Sequence, residues 1–346
     1  MLAPRPRRRY LTSTTPILTP VSWLITGGAG YIGAHVVRLL VERGEEVVVL
    51  DNLSTGAAET VGTAELVVGD VGDTGLVADL LGSRSTHAVV HFAAKKQVGE
   101  SVSDPLLYYR ENIGGLESLL TAMTSAAVDT IVFSSSAATY GMPVGSAPIR
   151  EDDPLAPQSP YGYTKVVGEQ MLADVARATG LHYAALRYFN VAGAAADDLG
   201  DRAALNLIPI VFQAIAAGEA PRVFGNDYPT PDGTCIRDYV HVADLADAHL
   251  AAFDGMRAGN DRQTFNVGTG KGSSVLEVLD CIEAVTGRTL DPVITDRRPG
   301  DPASSVASVD KIRAALGWEA KHDLHSMVAS AWSAFTRGGS DALPRG

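Results

Sequence analysis

A tyrosine and a lysine near the middle of the chain are spaced for proton transfer. Tyr161 and Lys165 follow Pro160 at the start of a run with helical apolar periodicity, which favours a helix start there. Residues four apart share one face of a helix, and an ammonium beside a phenol favours the phenolate. Lys165 is therefore predicted to lower the pKa of Tyr161 from about 10 towards neutral. Such a tyrosine is a general base for an alcohol proton.

A serine hydroxyl is predicted beside this pair. Ser136 is the last of three consecutive serines that follow the apolar run Ile131–Phe133, so it lies at the carboxyl edge of a predicted strand. From there Ser136 can donate a hydrogen bond to the same substrate oxygen or accept one from it. Tyrosine and lysine four residues apart are common on exposed helix surfaces, so the catalytic interpretation depends on the cofactor motif described next.

A glycine-rich turn in the first part of the chain is typical of dinucleotide binding. It follows a predicted strand and opens a predicted helix. Gly27 permits the tight turn, Gly30 lets the backbone approach a pyrophosphate, and Gly33 allows the helix to pack closely on the strand. The phosphates would then face the helix N-terminus, whose free N–H groups favour anions. Asp51 ends the second predicted strand, where a carboxylate accepts hydrogen bonds from ribose hydroxyls and repels a 2′-phosphate, so the pattern predicts NAD rather than NADP.

Continuous apolar strands alternate with helical runs over the first half of the chain. The predicted strands are Trp23–Thr26, Val47–Leu50, Glu65–Val68, Ala88–Phe92 and Thr130–Ser134. Strands without polar alternation that are separated by helices indicate a parallel sheet covered on both faces. The predicted fold class is therefore α/β, with a Rossmann-type doubly wound parallel sheet.

The acid after the third strand has two interpretations. Asp70 could reach the adenine of a dinucleotide, or it could be a solvated loop acid. Spacing alone leaves both open.

The second half predicts a smaller lobe. After about residue 190 the chain is rich in Gly, Pro and Asp and shows scattered short helices. We predict a Rossmann domain over 21–188 with a return of the chain near 239–268, a substrate lobe over 189–238 and 269–336, and a tail over 337–346. Residues 1–20 hold four arginines, four prolines and no acid, so they are predicted to be a disordered extension or to result from an upstream start codon called in error.

Composition excludes several classes of protein. The chain of 346 residues has a net charge of −12, which disfavours general nucleic-acid binding. No apolar run approaches the ~20 residues of a membrane span. Cys235 and Cys281 are the two cysteines; they cannot build a disulfide framework, and like His91 they are predicted to be packing residues, not metal ligands. The chain is predicted to be cytoplasmic, with no metal, membrane or nucleic-acid partner.

Several longer motifs resemble one known superfamily. TGGAGYIG, HFA, VGES, FSSSAATYG, PQSPYGYTK and LRYFNVAGA together resemble the extended short-chain dehydrogenase/reductases. The stretch FGNDYPTPDGTCIRDYVHVADLA, from Phe224 to Ala246, is similar to the UDP-glucose 4-epimerases within that superfamily. The resemblance runs from about Val21 to Trp332. A dTDP-sugar 4,6-dehydratase would have Thr-Asp-Glu where this chain has Ser136-Ala137-Ala138, so the acid needed for dehydration is absent.

The resemblance implies roles for named residues beyond Ser136, Tyr161 and Lys165. The implied NAD contacts are Tyr31, Ile32, Asp51, Asn52, Asp70, Val71, Phe92, Ala93, Lys96 and Phe189. The implied UDP-sugar contacts are Tyr188, Asn190, Asn206, Phe224, Arg237, Arg298, Asp301 and Ser305. Two departures put contacts in doubt: Glu111 stands where the family has Asn, leaving Asn112 as the amide, and the pair Lys95-Lys96 leaves the near-phosphate lysine ambiguous.

The implied activity is a reversible inversion at C4 of a UDP-hexose through a transient 4-keto sugar and bound NAD. Ser305 is small where a bulky tyrosine is associated with a restricted sugar range, so the UDP-N-acetylhexosamines are expected substrates as well. The resemblance also implies a homodimer formed through the helical stretches Pro105–Met123 and Tyr161–Ala178. The alternatives are another NAD-dependent nucleotide-sugar epimerase or decarboxylase, and an NAD-binding regulator without activity.

Overall fold

The computed structural model of the chain describes residues 22–84, 86–143, 145, 147–298 and 300–338. The predictions for residues 1–20 and for most of the tail lie outside this part of the chain. The strands are β1 Ser22–Thr26, β2 Glu46–Asp51, β3 Glu65–Val68, β4 Ala88–His91, β5 Thr130–Ser134, β6 His182–Tyr188, β7 Asn190–Ala192, β8 Arg222–Phe224, β9 Ile236–His241, β10 Gln263–Val267, β11 Gly272–Ser274, β12 Val293–Thr295 and β13 Ser304–Ser305.

Within the described ranges, eleven α-helices lie between these strands or follow the last of them. They are α1 Tyr31–Glu42, α2 Thr74–Ser83, α3 Val98–Ser103, α4 Pro105–Tyr108, α5 Gly115–Ser125, α6 Pro160–Thr179, α7 Leu207–Ala217, α8 Val242–Arg257, α9 Val275–Thr286, α10 Asp310–Leu316 and α11 Leu324–Gly338. Over the described ranges, none of these helices combines the length and the apolar character needed to cross a membrane.

Seven parallel strands form the main sheet in the order β10-β6-β5-β4-β1-β2-β3. This order is that of a doubly wound nucleotide-binding sheet with one further strand at the β6 edge, so the predicted fold class is confirmed. All seven strands run in the same direction, and their carboxyl ends therefore meet at one edge. Ser134 at the end of β5 lies opposite Leu186 of β6, and His91 of β4 lies opposite Phe133.

Two apolar cores cover the two faces of this sheet. On one face, α1 and α8 contribute fully buried residues that include Val36 and Leu245. On the other face, α2, α5 and α6 contribute Val77, Leu119 and Leu172. Burial on both faces explains the near-continuous apolar strands of the sequence.

The remainder of the chain builds a second group of elements. β9 pairs with β7, β11 and β13, and β8 pairs with β12. Their core includes Phe212 of α7, Ile282 of α9 and Val328 of α11. The prediction of scattered short helices is wrong here, because α9 has 12 residues and α11 has 15. The Gly-, Pro- and Asp-rich loops between these helices dominated the sequence pattern and concealed helical periodicity.

The helix predicted from Pro105 to Met123 contains an irregular segment. α4 and α5 are joined by one turn of π-helix, Tyr109–Gly114. Such a turn inserts an extra residue into the helical repeat and is frequent at functional sites. Here it carries Glu111 and the buried Asn112 into the region of the cleft described below.

Candidate active site

The glycine turn between β1 and α1 leads into a helix N-terminus that no side chain caps. A side-chain carbon at Gly27, whose φ is +73°, would lie 2.6 Å from the backbone nitrogen of Ala93, and one at Gly33 would lie 2.4 Å from the carbonyl oxygen of Gly27. At Gly30 the nearest atom would be 3.3 Å away. Gly27 and Gly33 are therefore required by internal packing, whereas a side-chain carbon at Gly30, at the start of α1, would meet only the carbonyl oxygen of Gly27 within 4 Å. No side chain caps this helix, so its first N–H groups can receive an anion.

A single cleft runs from this turn along the carboxyl edge of the sheet. It passes the ends of β2, β4 and β5 and reaches the start of α6. The cleft brings together fifteen of the residues that the sequence analysis selected: Gly27, Gly30, Tyr31, Ile32, Gly33, Asp51, Asn52, Asp70, Val71, Phe92, Ala93, Lys96, Tyr161, Lys165 and Tyr188.

The backbone fixes a carboxylate beside the glycine turn. Asp51 is buried, and its oxygens accept hydrogen bonds from the backbone nitrogens of Ala29 at 3.0 Å and Leu53 at 2.8 Å. Next to it, Asn52 Nδ2 donates to Asp70 Oδ2 at 3.0 Å. A carboxylate held at the end of β2, next to an open helix N-terminus, matches the ribose and pyrophosphate of a dinucleotide. The residues present therefore fit NAD.

The opposite end of the cleft carries the predicted proton-transfer groups. Tyr161 and Lys165 lie on α6, which begins at Pro160 with Ser159 as its capping residue. Lys165 is buried, and its Nζ donates to the carbonyl oxygen of Ser134 at 2.8 Å. The same Nζ lies 5.9 Å from the centre of the Tyr161 ring. Helix α6 thus holds both groups against the end of β5.

Burial dominates the titration of both groups. Burial raises the pKa of Tyr161, and the neighbouring Ser136 side chain acts in the opposite direction. Burial also lowers the pKa of Lys165 to about 8, against the carboxylate of Glu169. The four-residue spacing predicted that Lys165 lowers the pKa of Tyr161; desolvation of the phenol is the larger effect here. The Lys165 ammonium is directed at the Ser134 carbonyl, so part of its charge is already compensated.

The side-chain amide of Asn112, on the π-helical turn, hydrogen-bonds the backbone of Lys95 beside the cleft. The Asn112 side chain accepts from the backbone nitrogen of Lys95 at 2.7 Å and donates to its carbonyl oxygen at 2.9 Å. Asn112 Nδ2 also lies 3.0 Å from Thr164 Oγ1 on α6. Glu111, which departs from the family pattern, lines the cleft and pairs with Arg110 at 3.4 Å. The amide that survives in this sequence is thus the one that orders the backbone beside Lys96.

Five predicted UDP contacts form a separate cluster around β9. Arg237 Nη1 donates to the carbonyl oxygens of Ile236 and Pro302, and Nη2 lies 3.4 Å from Asp301 Oδ1. Ser305 lies opposite Arg237 in the β9–β13 pairing. In the same cluster, the Arg298 guanidinium stacks on Phe224 with 3.8 Å to the ring centre. None of these five residues, all within the described ranges, lines the cleft.

The remaining predicted residues also lie outside the cleft wall. Asn190 is on β7 opposite Tyr239, and Phe189 is buried in a small core that includes Ile149. Asn206 precedes α7, and its Nδ2 donates to Asp201 Oδ2 at 2.7 Å. Asp201 itself lines the cleft, which links Asn206 to it through one hydrogen bond. Ser136 begins a short helical turn, and its Oγ accepts from the Ala138 nitrogen.

Sequence reasoning missed part of the cleft wall. A segment of the loop before α7, from Leu199 to Leu205, contributes six residues, and Glu100 contributes another. No motif marks this segment. A buried ion pair, between Glu169 and Arg187, was not predicted from the sequence either. Here a signal existed, because Glu169 follows Lys165 by four residues on the same predicted helix.

His91 is placed as a packing residue. Its Nδ1 lies 2.7 Å from Thr26 Oγ1, and its ring stacks on Phe133 with 5.9 Å between centres. In the part of the chain that the structure describes, no group of three or more His, Cys, Asp or Glu residues is arranged to hold a metal ion.

Comparison with known proteins agrees with this geometry. The sequence model of the NAD-dependent epimerase/dehydratase family matches residues 23–268. A UDP-glucose 4-epimerase of Halalkalibacterium halodurans is 48% identical over 316 residues, which cover 90% of this chain and 94% of the relative. The solved UDP-glucose 4-epimerase of Brucella ovis in complex with NAD superposes with a TM-score of 0.88 at 42% identity, covering 92% of this chain and 98% of the other.

A second solved structure contains a nucleotide sugar. It is the UDP-glucose 4-epimerase of Stenotrophomonas maltophila with bound NAD and formylated UDP-arabinopyranose, with a TM-score of 0.87 and 42% identity. The similarity covers 92% of this chain and all of that one. The family resemblance inferred from the motifs is therefore confirmed.

Proposed function

The chain belongs to the NAD-dependent epimerase/dehydratase family, and on that premise we propose that it interconverts UDP-galactose and UDP-glucose by inverting C4. The reaction passes through a transient 4-keto sugar, and NAD is the bound cofactor. The observation that carries this proposal is the continuous cleft from the glycine turn to Tyr161 and Lys165. The glycine turn and Asp51 would hold a dinucleotide at one end of this cleft, and Tyr161 and Lys165 line its other end.

We assign the binding of NAD and of the UDP part of the substrate to two separate groups of residues. The cleft residues assigned to the cofactor, from Gly27 to Lys96, would hold NAD, with Gly30 at the pyrophosphate, Asp51 at the ribose and Lys96 near the phosphates. The cluster around β9 holds the UDP part of the substrate, together with Tyr188, Asn190 and Asn206. Arg237 and Arg298 support this assignment, because arginine side chains suit the bidentate recognition of a pyrophosphate. We assign Phe189 to the nicotinamide end on the family resemblance.

Proton transfer belongs to residues of this chain. Tyr161 takes the proton from the sugar 4-hydroxyl, and Ser136 hydrogen-bonds the same oxygen. NAD, when bound, supplies the acceptor and donor of the hydride at C4. Lys165 assists by placing a positive charge beside the phenol. The keto sugar then turns about its pyrophosphate link, so that the other face of C4 receives the returning hydride and Tyr161 returns the proton to the C4 oxygen.

Anchoring of the substrate through its nucleotide follows from this cycle. A site that fitted one face of the hexose closely would oppose the turn, so binding energy is better placed on the non-reacting UDP. The location of Arg237 and Arg298 outside the cleft that holds Tyr161 supports such a separation. Ser305, next to Arg237 in the β9–β13 pairing, leaves room for a 2-N-acetyl group, so the N-acetylated pair is proposed as a second substrate pair.

Product analysis separates this function from its alternatives. Purified protein is incubated with a panel of UDP-hexoses, UDP-hexuronic acids and other nucleotide sugars, and the products are resolved by chromatography. A C4 epimer from UDP-galactose, without release of CO₂ from any uronic acid, is the expected result. Decarboxylation would favour the sister activity, and no turnover of any substrate would favour a regulator that only binds NAD.

We also propose that the chain forms a homodimer. An apolar surface of α3, α4 and α6 supports this: Val102 is 63% exposed, Leu106 73% and Tyr163 51%. Exposed apolar groups this close together are typical of an interaction surface. Light scattering at micromolar concentration is expected to give twice the mass of the chain, and Leu106→Glu is expected to give the monomer. The control is Val293→Glu, at an apolar residue exposed elsewhere; a monomeric wild-type protein contradicts the proposal.

We propose a cytoplasmic location because the two cysteine thiols are free. Cys235 and Cys281 are both unpaired. Free cysteines fit a reducing compartment.

A further inference from the structure

The helix that carries the proposed base presents a third polar residue to the same strand end. Lys165 Nζ donates to the Ser134 carbonyl oxygen at 2.8 Å. One helical turn later, Glu169 Oε1 accepts from Ser135 Oγ at 2.5 Å. Tyr161 lies one turn before Lys165, so the three side chains follow one another at four-residue intervals on one face of α6. The proposed function assigns roles to the first two and none to Glu169.

Arg187 fixes the Glu169 carboxylate from the neighbouring strand. Its Nε and Nη2 donate to the two carboxylate oxygens at 2.9 and 2.5 Å. Its Nη1 donates to Tyr140 Oη at 2.9 Å and to the Glu151 carbonyl oxygen at 3.2 Å. The Glu169 and Arg187 side chains are each at least nine-tenths buried. A bidentate pair of this kind gives the carboxylate one orientation.

Charged and titratable groups from several elements face this pair. Lys165 comes from α6, Tyr183 from β6, Tyr140 from the turn after β5, and Glu151 from the loop before α6. Lys311 comes from α10, and the charge of Arg187 acts on it. His91 of β4 faces Lys165, and burial together with the lysine charge lowers the pKa of His91 to about 3. His91 is therefore neutral at physiological pH. Burial lowers the pKa of Lys165, and the anion that opposes this effect is Glu169.

We propose that Glu169 is a positioning residue for the reaction: its carboxylate, clamped by Arg187, keeps Lys165 in the ammonium form that assists Tyr161. The inference rests on the proposed function, because it concerns the lysine beside the proposed base. Without the Glu169 charge, the buried Arg187 guanidinium would lose its anionic partner one helical turn from Lys165, and Lys165 would release its proton more readily. A neutral lysine no longer favours the phenolate of Tyr161. Loss of the carboxylate should therefore slow the reaction first at alkaline pH.

The primary test is the pH profile of Glu169→Gln. Glutamine retains the shape and can still accept from Ser135, so the charge is the main change. We expect the alkaline limb of kcat/KM for UDP-galactose to shift to lower pH by about one unit. The plateau below that limb should stay near the wild-type rate. The matched control is Glu42→Gln, the same substitution at the exposed end of α1, which should leave the profile unchanged.

Two further variants separate charge from packing. Glu169→Asp keeps the charge and should restore most of the alkaline limb. The double variant Glu169→Gln, Arg187→Met removes both buried charges, and its limb should lie between those of Glu169→Gln and the wild type. If the midpoint of the alkaline limb were unchanged in Glu169→Gln and the rate were lower at every pH, the role of Glu169 would be purely structural. That result would overturn the proposal.

A direct titration makes the test independent of activity. The chain has six lysines, so ¹³Cε-lysine labelling gives few signals, and Lys165→Met identifies the one from Lys165. In Glu169→Gln the titration midpoint of that signal should fall relative to the wild type. If the wild type does not convert UDP-galactose, the proposed function fails, while the midpoint still reports on the coupling. An unchanged midpoint in active enzyme overturns the inference alone.

Discussion

Replacing Tyr161 by phenylalanine is expected to reduce turnover of UDP-galactose by about 10²- to 10⁴-fold. The substitution removes one oxygen from a buried ring at the end of the cleft and leaves the ring's packing in place. Thr164, three residues later on α6, does not replace this hydroxyl, because it donates to the carbonyl oxygen of Tyr161. The rate is measured by the appearance of UDP-glucose under saturating substrate.

Binding should be almost unaffected in this variant. The proposed NAD and UDP contacts depend on other residues, so calorimetric titration with UDP and the amount of NAD that copurifies should match the wild type. The control is Tyr163→Phe, the same change two residues along α6, where the side chain is half exposed. A Tyr161→Phe enzyme with near-normal turnover would show that another group is the base.

Substitution of Ser305 by tyrosine is expected to remove activity on the N-acetylated sugars selectively. Ser305 lies on β13 directly opposite Arg237, so a large side chain there would occupy the space proposed for the sugar near its pyrophosphate anchor. Overfilling a site costs about 1–3 kcal/mol or more, which is about tenfold or greater discrimination. The wild type should interconvert both sugar pairs, and the variant should retain UDP-glucose and UDP-galactose. Initial rates with all four sugars measure the effect.

The neighbouring serine provides a matched control. Ser304 precedes Ser305 on the same short strand, and successive side chains of a strand point to opposite faces. Ser304→Tyr should therefore not change the preference between the two sugar pairs. The hypothesis is wrong if the wild type fails to act on either N-acetylated sugar, or if Ser304→Tyr produces the selectivity instead.

The sequence was sufficient to predict the elements that depend on local signals. Pro160 marks the start of α6, and the four-residue spacing then places Tyr161 and Lys165 on one face of it. The glycine turn was predictable for the same reason, because Gly33 can be replaced only by displacing the backbone of Gly27. Continuous apolar strands specified a sheet buried on both faces, which is the sheet found.

Features that depend on distant parts of the chain were not predictable. Asn112 orders the backbone at Lys95, seventeen positions earlier, and the clamp of Glu169 by Arg187 joins a helix to a strand. The effect of burial on the pKa of Tyr161 also requires the assembled core. The residues around β9 illustrate the same limit: their types indicated a UDP site, yet only the pairing of β13 with β9 places Ser305 opposite Arg237.

Retention of the hydride tests the central claim most directly, since this protein is proposed to invert C4 of the sugar without net oxidation or reduction. UDP-galactose that carries deuterium at C4 is incubated with purified protein in ordinary water, without added NAD, and the product is examined by NMR and mass spectrometry. The account predicts UDP-glucose that keeps the deuterium at C4, together with NAD released on denaturing the enzyme. UDP-glucose with hydrogen at C4, or no product unless external NAD is supplied, would contradict it.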